Sequence, residues 1–242
     1  MKTIDRLKSK VRYDSILTIP ITQELRYFRF AEFIKNLLKE KKGLKILEVS
    51  SGASGITKFV KTPVIGMDIR FIDLPSPFLK QLRHSALKKF PFKDNEFDAV
   101  LSVDGYEHLP KKKRKKTLLE MYRVTNKHLL ITTLFNETKY DRKILREWGP
   151  ENKYYNDIYE HKKMGFPSLN EIRQYLHGKK YKIKIMKGAH PRLAYFLKKS
   201  EQNIISSMLS RTVLRIFMPI LKRITGTKRN HHRYHLFIEK LK

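Results

Sequence analysis

The sequence predicts an α/β protein built on a doubly wound, mostly parallel seven-stranded sheet with helices on both faces. Three observations carry that expectation. From residue 44 to 135, apolar strand-like runs alternate with helical patterns, the order that yields parallel strands joined by crossovers. Within it, KILEVSSGASGITKFVKTPVIGMDIR (45–70) reads as an apolar strand, a small-residue turn, a short helix and a second apolar strand ending in Asp68. Later, YKIKIM (181–186) and YHLFI (234–238) supply two more strands.

Residues 1–43 are expected to be a helical extension. Over 23–40, Leu25, Phe28, Phe30, Ala31, Phe33, Ile34, Leu37 and Leu38 fall at helical spacings, between Pro20 and a Lys41-Lys42-Gly43 stop. The core should span 44–186. Its first strand holds Ile46, Leu47, Glu48 and Val49, and the turn that follows holds Ser50, Ser51, Gly52, Ala53, Ser54 and Gly55. Small residues there let the backbone approach a ligand, and the next helix offers free N–H groups. Asp68 stands 20 residues after Glu48, the spacing at which an acid capping the second strand accepts from ribose hydroxyls.

Ser76 or Pro77 is expected to open a helix to residue 83, followed by a third strand over 84–87. FDAVLSV (97–103) is a buried strand after an Asp94-Asn95 turn, and Asp104 ends it at the carboxyl edge of the sheet. Residues 111–124 are a helix with Leu118, Leu119 and Tyr122 inward, and LLITTL (129–134) is the fifth strand. Residues 139–163 are polar and aromatic-rich. Ser168 with Glu171 three residues on opens a helix by a capping box.

The last two strands are separated by about 45 residues, far more than a hairpin loop. An insertion is therefore expected over 187–229, with residues 230–242 returning as the last core strand. Over 203–225, Ile205, Met208, Leu209, Val213, Ile216, Phe217, Ile220, Leu221 and Ile224 keep helical spacing beside Arg211, Arg215, Lys222 and Arg223. Pro219 should kink this helix. A basic amphipathic helix fits an anionic membrane surface or a substrate lid, and equally an extra helix covering the sheet edge.

Two separated motifs, the 45–70 unit and FPFKDNEFDAVLSVDGYEHLP (90–110), resemble the class I S-adenosylmethionine (SAM)-dependent methyltransferases, specifically the type 11 group. That group carries E/D-x-G-x-G-x-G and then a P-F-x-D-x-x-F-D-x-V block ending in E-H-L. The resemblance covers residues 44–136 and implies a Rossmann-like fold, SAM as cofactor and methyl transfer to an unidentified O or N acceptor. It implies that Glu48 holds the turn or the amino-acid end of SAM, and that Ser50, Gly52 and Gly55 line the backbone approach. By the same resemblance Asp68 takes the ribose hydroxyls, Ile69 packs on adenine, and Asp104 with Gly105 lies beside the methionine moiety. Two departures stand out: Ser50 replaces the first glycine, and Ala86, with Ser85 beside it, occupies the slot where the family places an acid for the adenine amino group. In the family the N-terminal helix often covers the substrate pocket; packing against the sheet edge is the plainer alternative.

Composition narrows the chemistry. A chain of 242 residues, 40% hydrophobic, can bury a sizeable core. With no cysteine, disulfides, thiolate metal sites and cysteine nucleophiles are excluded, and with them cytosine-C5 methylation by the covalent route. The formal charge of +30 draws polyanions, whether nucleic acid, anionic membrane or phosphorylated substrates. No apolar run reaches a membrane span and no signal peptide is legible, so a cytoplasmic location is expected, peripheral to a membrane if the 203–225 helix binds one.

For the transfer itself His108, in GYEHLP beside Glu107, and His161, in IYEHKKMG, are the candidate bases. For His108 a fold-supporting role is the competing reading. Lys111–Lys116 (KKKRKK) can bind phosphate or form a solvated face, and its cations oppose the helix dipole. The HHRYH cluster (231–235) lacks a carboxylate and is flanked by cations, so no metal is expected. An RNA substrate and a non-catalytic scaffold remain the rival readings; against RNA, DGYE stands where an Asn-Pro-Pro-aromatic tetrad would follow the fourth strand.

Overall fold

The computed structural model describes residues 21–52, 54–71, 76–188, 190–201 and 233–241. Its centre is one seven-stranded sheet in the order β3-β2-β1-β4-β5-β7-β6. The strands are β1 (Ile46–Val49), β2 (Val64–Asp68), β3 (Leu79–Arg83), β4 (Phe97–Val103), β5 (Thr125–Leu134), β6 (Tyr181–Lys187) and β7 (Arg233–Lys240). The first five run parallel; β7 lies antiparallel between β5 and β6. The expected sheet is therefore present, and its strand order reverses next to β1, where β2 and β4 diverge.

Helices cover both faces. Helix α1 (Ile21–Glu40) sets Tyr27, Phe30, Ala31 and Ile34 against Ile46, Val64, Ala99, Leu101 and Leu130. On the other face α2 (Lys111–Val124) and α5 (Leu169–Tyr175) bury Leu118, Met121, Tyr122 and Ile172 against Leu47, Val100, Leu129 and Ile131. Consecutive β5 residues Leu129, Leu130 and Ile131 thus serve alternate cores, as a pleated strand buried on both faces must. Three further helices, α3 (Lys139–Glu147), α4 (Lys153–Met164) and α6 (Pro191–Ser200), gather over the carboxyl edge.

Several local expectations meet a different outcome. The helix after β1 is a single 3₁₀ turn, Gly55–Lys58. Residues 79–83 form β3 where a helix was expected, and 84–87 are a loop rather than the third strand. The reason is pairing: β2 needs partners for its outer backbone groups, and LKQLR provides them while exposing Lys80, Gln81 and Arg83. An edge strand of this kind lacks the apolar alternation by which strands are recognised. Ser168 does cap α5, accepting from the Glu171 N–H at 3.0 Å, but the Glu171 carboxylate accepts from the Tyr175 hydroxyl instead of closing a capping box.

The basic run 111–116 is not uniformly solvated. Arg114 is fully buried, while its five lysine neighbours are exposed. Its guanidinium donates to the carbonyls of Leu109 and Glu107, each at 3.1 Å, of Met164 at 3.3 Å, and of Gly165. One arginine therefore ties the loop after β4 to the end of α4. The 203–225 helix and the His231-His232 pair fall outside the described residues.

Candidate functional site

A cleft of about 330 Å³ opens at the carboxyl ends of β1, β2 and β4. The structure brings Ser50, Asp68, Ile69, Ser85, Ala86, Asp104, Gly105 and His108 to its walls, together with His84 and Glu160. Ile69 is 56% exposed there, an apolar face open to a ligand. Ser85 uses its hydroxyl locally, accepting from the Leu87 N–H at 3.2 Å, and the Ala86 carbonyl accepts from the Thr117 hydroxyl at 2.9 Å.

The turn above β1 is stitched to β2. The N–H of Ser50 donates to the Met67 carbonyl at 2.8 Å, and the N–H of Gly52 donates to Asp68 Oδ2 at 2.9 Å. Asp68 Oδ1 accepts from the Arg70 N–H at 3.2 Å. Ser50 adopts φ +60°, the left-handed conformation that costs a residue with a Cβ about 1–2 kcal/mol. Gly105 explains part of that arrangement: a Cβ on it would lie 2.6 Å from Ser50 Cβ, so the β1 turn and the β4 loop touch only because Gly105 is bare.

Glu48, Gly52 and Gly55 lie outside the cleft walls. Glu48 is fully buried beneath the turn, where its carboxylate accepts from the Ile56 N–H at 2.6 Å and the Tyr27 hydroxyl at 3.0 Å. Burial pushes its pKa up to about 8 despite those two donors.

A second, smaller chamber of about 30 Å³ adjoins the cleft, sharing Asp104 and His108 with it. It holds Arg26 from α1, Glu107 from the β4 loop, Asp157 and His161 from α4, Lys198 from α6 and Arg233 from β7. Asp104 sits at φ +50° and meets Arg233 Nη2 at 2.7 Å and Arg26 Nε at 3.1 Å. Burial alone would raise its pKa, but the two guanidiniums hold the carboxyl below its ordinary range. Glu107 is the opposite case. It is fully buried, neither side-chain oxygen has a hydrogen-bond partner among the described residues, and burial followed by the Asp104 charge raises its pKa.

The two candidate histidines meet at this boundary. His161 Nε2 lies 3.1 Å from His108 Nε2, and His108 Nδ1 lies 3.2 Å from Glu160 Oε2. Burial, with His108 beside it, lowers the His161 pKa to about 3, so that ring is neutral. Its Nδ1 has no hydrogen-bond partner among the described residues. Arg26, Lys198 and Arg233 were not singled out by sequence. The one local sign is Arg26 itself, a charge between buried Leu25 and Tyr27 on α1. Among the described residues no group of His, Asp and Glu is arranged to hold a metal, and no helix is long and apolar enough to cross a membrane.

Comparison with known proteins agrees with this geometry. Residues 47–130 match the family described as methyltransferase domain. The structure of the plantazolicin methyltransferase BpumL in complex with SAH superposes with TM-score 0.57 at 17% identity, covering 98% of this chain and 91% of that one. A putative methyltransferase from an antibiotic biosynthesis pathway of Anabaena variabilis gives 0.51 at 14% identity, over 90% of this chain and 100% of that one. A phospholethanolamine N-methyltransferase 2 of Haemonchus contortus gives 0.52 at 14% identity, over 95% of this chain and 58% of that one. No curated protein sequence matches the chain. Residues 47–130 are thus similar to a methyltransferase domain, and the chain as a whole has the fold of the class I SAM-dependent methyltransferases.

Proposed function

We propose that the protein is a SAM-dependent methyltransferase acting on a nitrogen or oxygen of a small or carrier-linked acceptor. The observation that carries the reading is the adjacency of the two cavities. A cleft bounded by Asp68, Ile69, Ser85, Asp104 and Gly105 lies beside a buried polar chamber lined by His161 and Glu107, and the two share Asp104 and His108. The residues fit the cofactor: Asp68 presents a carboxylate for ribose hydroxyls, exposed Ile69 an apolar face for adenine, and Gly105 a stretch of wall for the methionine end. When bound, SAM supplies an electrophilic methyl group. The chain's own contribution is to hold the acceptor atom in line, exclude water around it and remove its proton. A chamber of about 30 Å³ has room for a single amine or hydroxyl group and little else, which supports a reading in which the acceptor atom, and not the whole acceptor, enters it.

SAM as cofactor is further supported by the SAH in the BpumL complex. The test is transfer of labelled methyl from SAM into fractionated small-molecule, lipid and RNA extracts. Label in the small-molecule or lipid fraction supports the reading. Label confined to RNA would transfer the assignment to the nucleic-acid reading that the +30 charge motivates, and no label in any fraction, with SAM bound, would favour a scaffold.

A further inference from the structure

We propose that His161, His108 and Glu160 form a proton relay that carries the acceptor's proton from the buried chamber to solvent. The inference rests on the methyltransferase reading above and concerns residues of this chain alone. Three groups stand in series: His161 Nε2 to His108 Nε2 at 3.1 Å, then His108 Nδ1 to Glu160 Oε2 at 3.2 Å. Exposure rises along the series. His161 is 6% exposed, the His108 side chain 33% and the Glu160 side chain 47%, so the line leads outward.

The tautomers follow from the ends inward. A carboxylate only accepts, so Glu160 fixes a proton on His108 Nδ1. Neutral His108 then has a bare Nε2, which must accept from His161 Nε2–H. That assignment leaves His161 Nδ1 as a lone pair, and it is this atom that is buried with no hydrogen-bond partner among the described residues. A buried acceptor without a donor calls for an explanation, and an incoming N–H or O–H supplies one. Across the chamber His161 faces Asp104, Lys198 and Arg233, with the Phe166 ring on its side; His108 faces Glu107 as well as Glu160. The surrounding cations disfavour a proton resting on His161, so the relay hands it on instead of storing it.

The step balances without a further reagent. An acceptor X–H forms X–CH₃ with its lone pair, and the bonding pair of the departing methyl stays with the sulfur. The X–H proton goes to His161 Nδ1, the His161 Nε2 proton to His108 Nε2, and the His108 Nδ1 proton to Glu160 Oε2 and solvent. Each ring ends in its other tautomer; once the product has left, water entering the chamber takes the proton from His161 Nδ1, Glu160 returns one from solvent to His108 Nδ1, and the His108 Nε2 proton passes back to His161 Nε2, which restores both rings. His161 is then a catalytic residue; His108 and Glu160 act through it. A base on an exposed loop would need no such series, which is why Arg114, tying the Glu107–Leu109 carbonyls to the end of α4, matters for its alignment.

The test is nitrogen NMR on the full chain, uniformly labelled at histidine and free of cofactor, with Glu160→Ala as the variant because its exposed site should not affect folding. Expected are a protonated Nδ1 on His108, a bare Nδ1 on His161, and a coupling across the Nε2···Nε2 hydrogen bond that Glu160→Ala abolishes. A proton on His161 Nδ1, or a coupling indifferent to Glu160, would overturn the relay even if SAM binds. Calorimetry of the unsubstituted chain separates the two readings: its failure to bind SAM would overturn the methyltransferase assignment whatever the tautomers show.

Discussion

Gly55 makes room for the carboxylate of Glu48: a Cβ at position 55 would lie 2.0 Å from Glu48 Oε2. Glu48 stands at the centre of the sheet and Gly55 opens the 3₁₀ turn with φ +47°, so the glycine serves both the backbone conformation and the buried acid. Gly55→Ala should therefore destabilise the protein by about 2 kcal/mol or more, combining steric overlap with a left-handed Ala. Denaturant midpoints measure it; an unchanged midpoint would contradict the packing described.

Ser50 offers the reverse change. Its φ of +60° suits glycine better than serine. Ser50→Gly should raise stability by about 0.5–1 kcal/mol, read as a higher melting temperature.

Glu48 also makes a pH prediction. Its pKa is raised from 4.5 to about 8 in the folded chain, so the native state holds a proton that the unfolded chain has lost. The associated stability is fully present below pH 4.5 and is lost as pH rises through 8. Glu48→Gln, which mimics the protonated acid, should flatten this part of the stability profile. Equal slopes for the two proteins between pH 5 and 8, about the window where the shift acts, would show that Glu48 is not the cause.

Arg114→Ala should cost about 3 kcal/mol or more, because several buried carbonyls lose their donor together. The five exposed lysines around it should each tolerate alanine within about 0.5 kcal/mol. Thermal unfolding of the series separates a structural arginine from a solvated basic run.

The central sheet was legible because its signals are local. FDAVLSV and ILEV are mostly apolar, broken only by Asp98, Ser102 and Glu48, and Asp68 follows its turn at a set spacing. β3 was not, since an edge strand half in solvent carries no apolar alternation. The polar chamber was not either: Arg26, Lys198 and Arg233 are far apart in sequence and converge only through the packing of α1, α6 and β7 around Asp104. Burial of charge is a tertiary fact, and nothing in the neighbours of Lys198 or Arg233 announces it. The same holds for Arg114, whose partners lie 5 and 7 residues before it and 50 and 51 residues after it.

The most direct test of the account is calorimetric binding of SAM and SAH to the wild-type chain and to Asp68→Ala. The cleft described predicts binding by the wild type and an affinity loss of about tenfold or more in the variant, from one lost pair of charge-assisted hydrogen bonds. Equal binding by both proteins would remove Asp68 from the site, and no binding by the wild type would contradict the cofactor cleft itself.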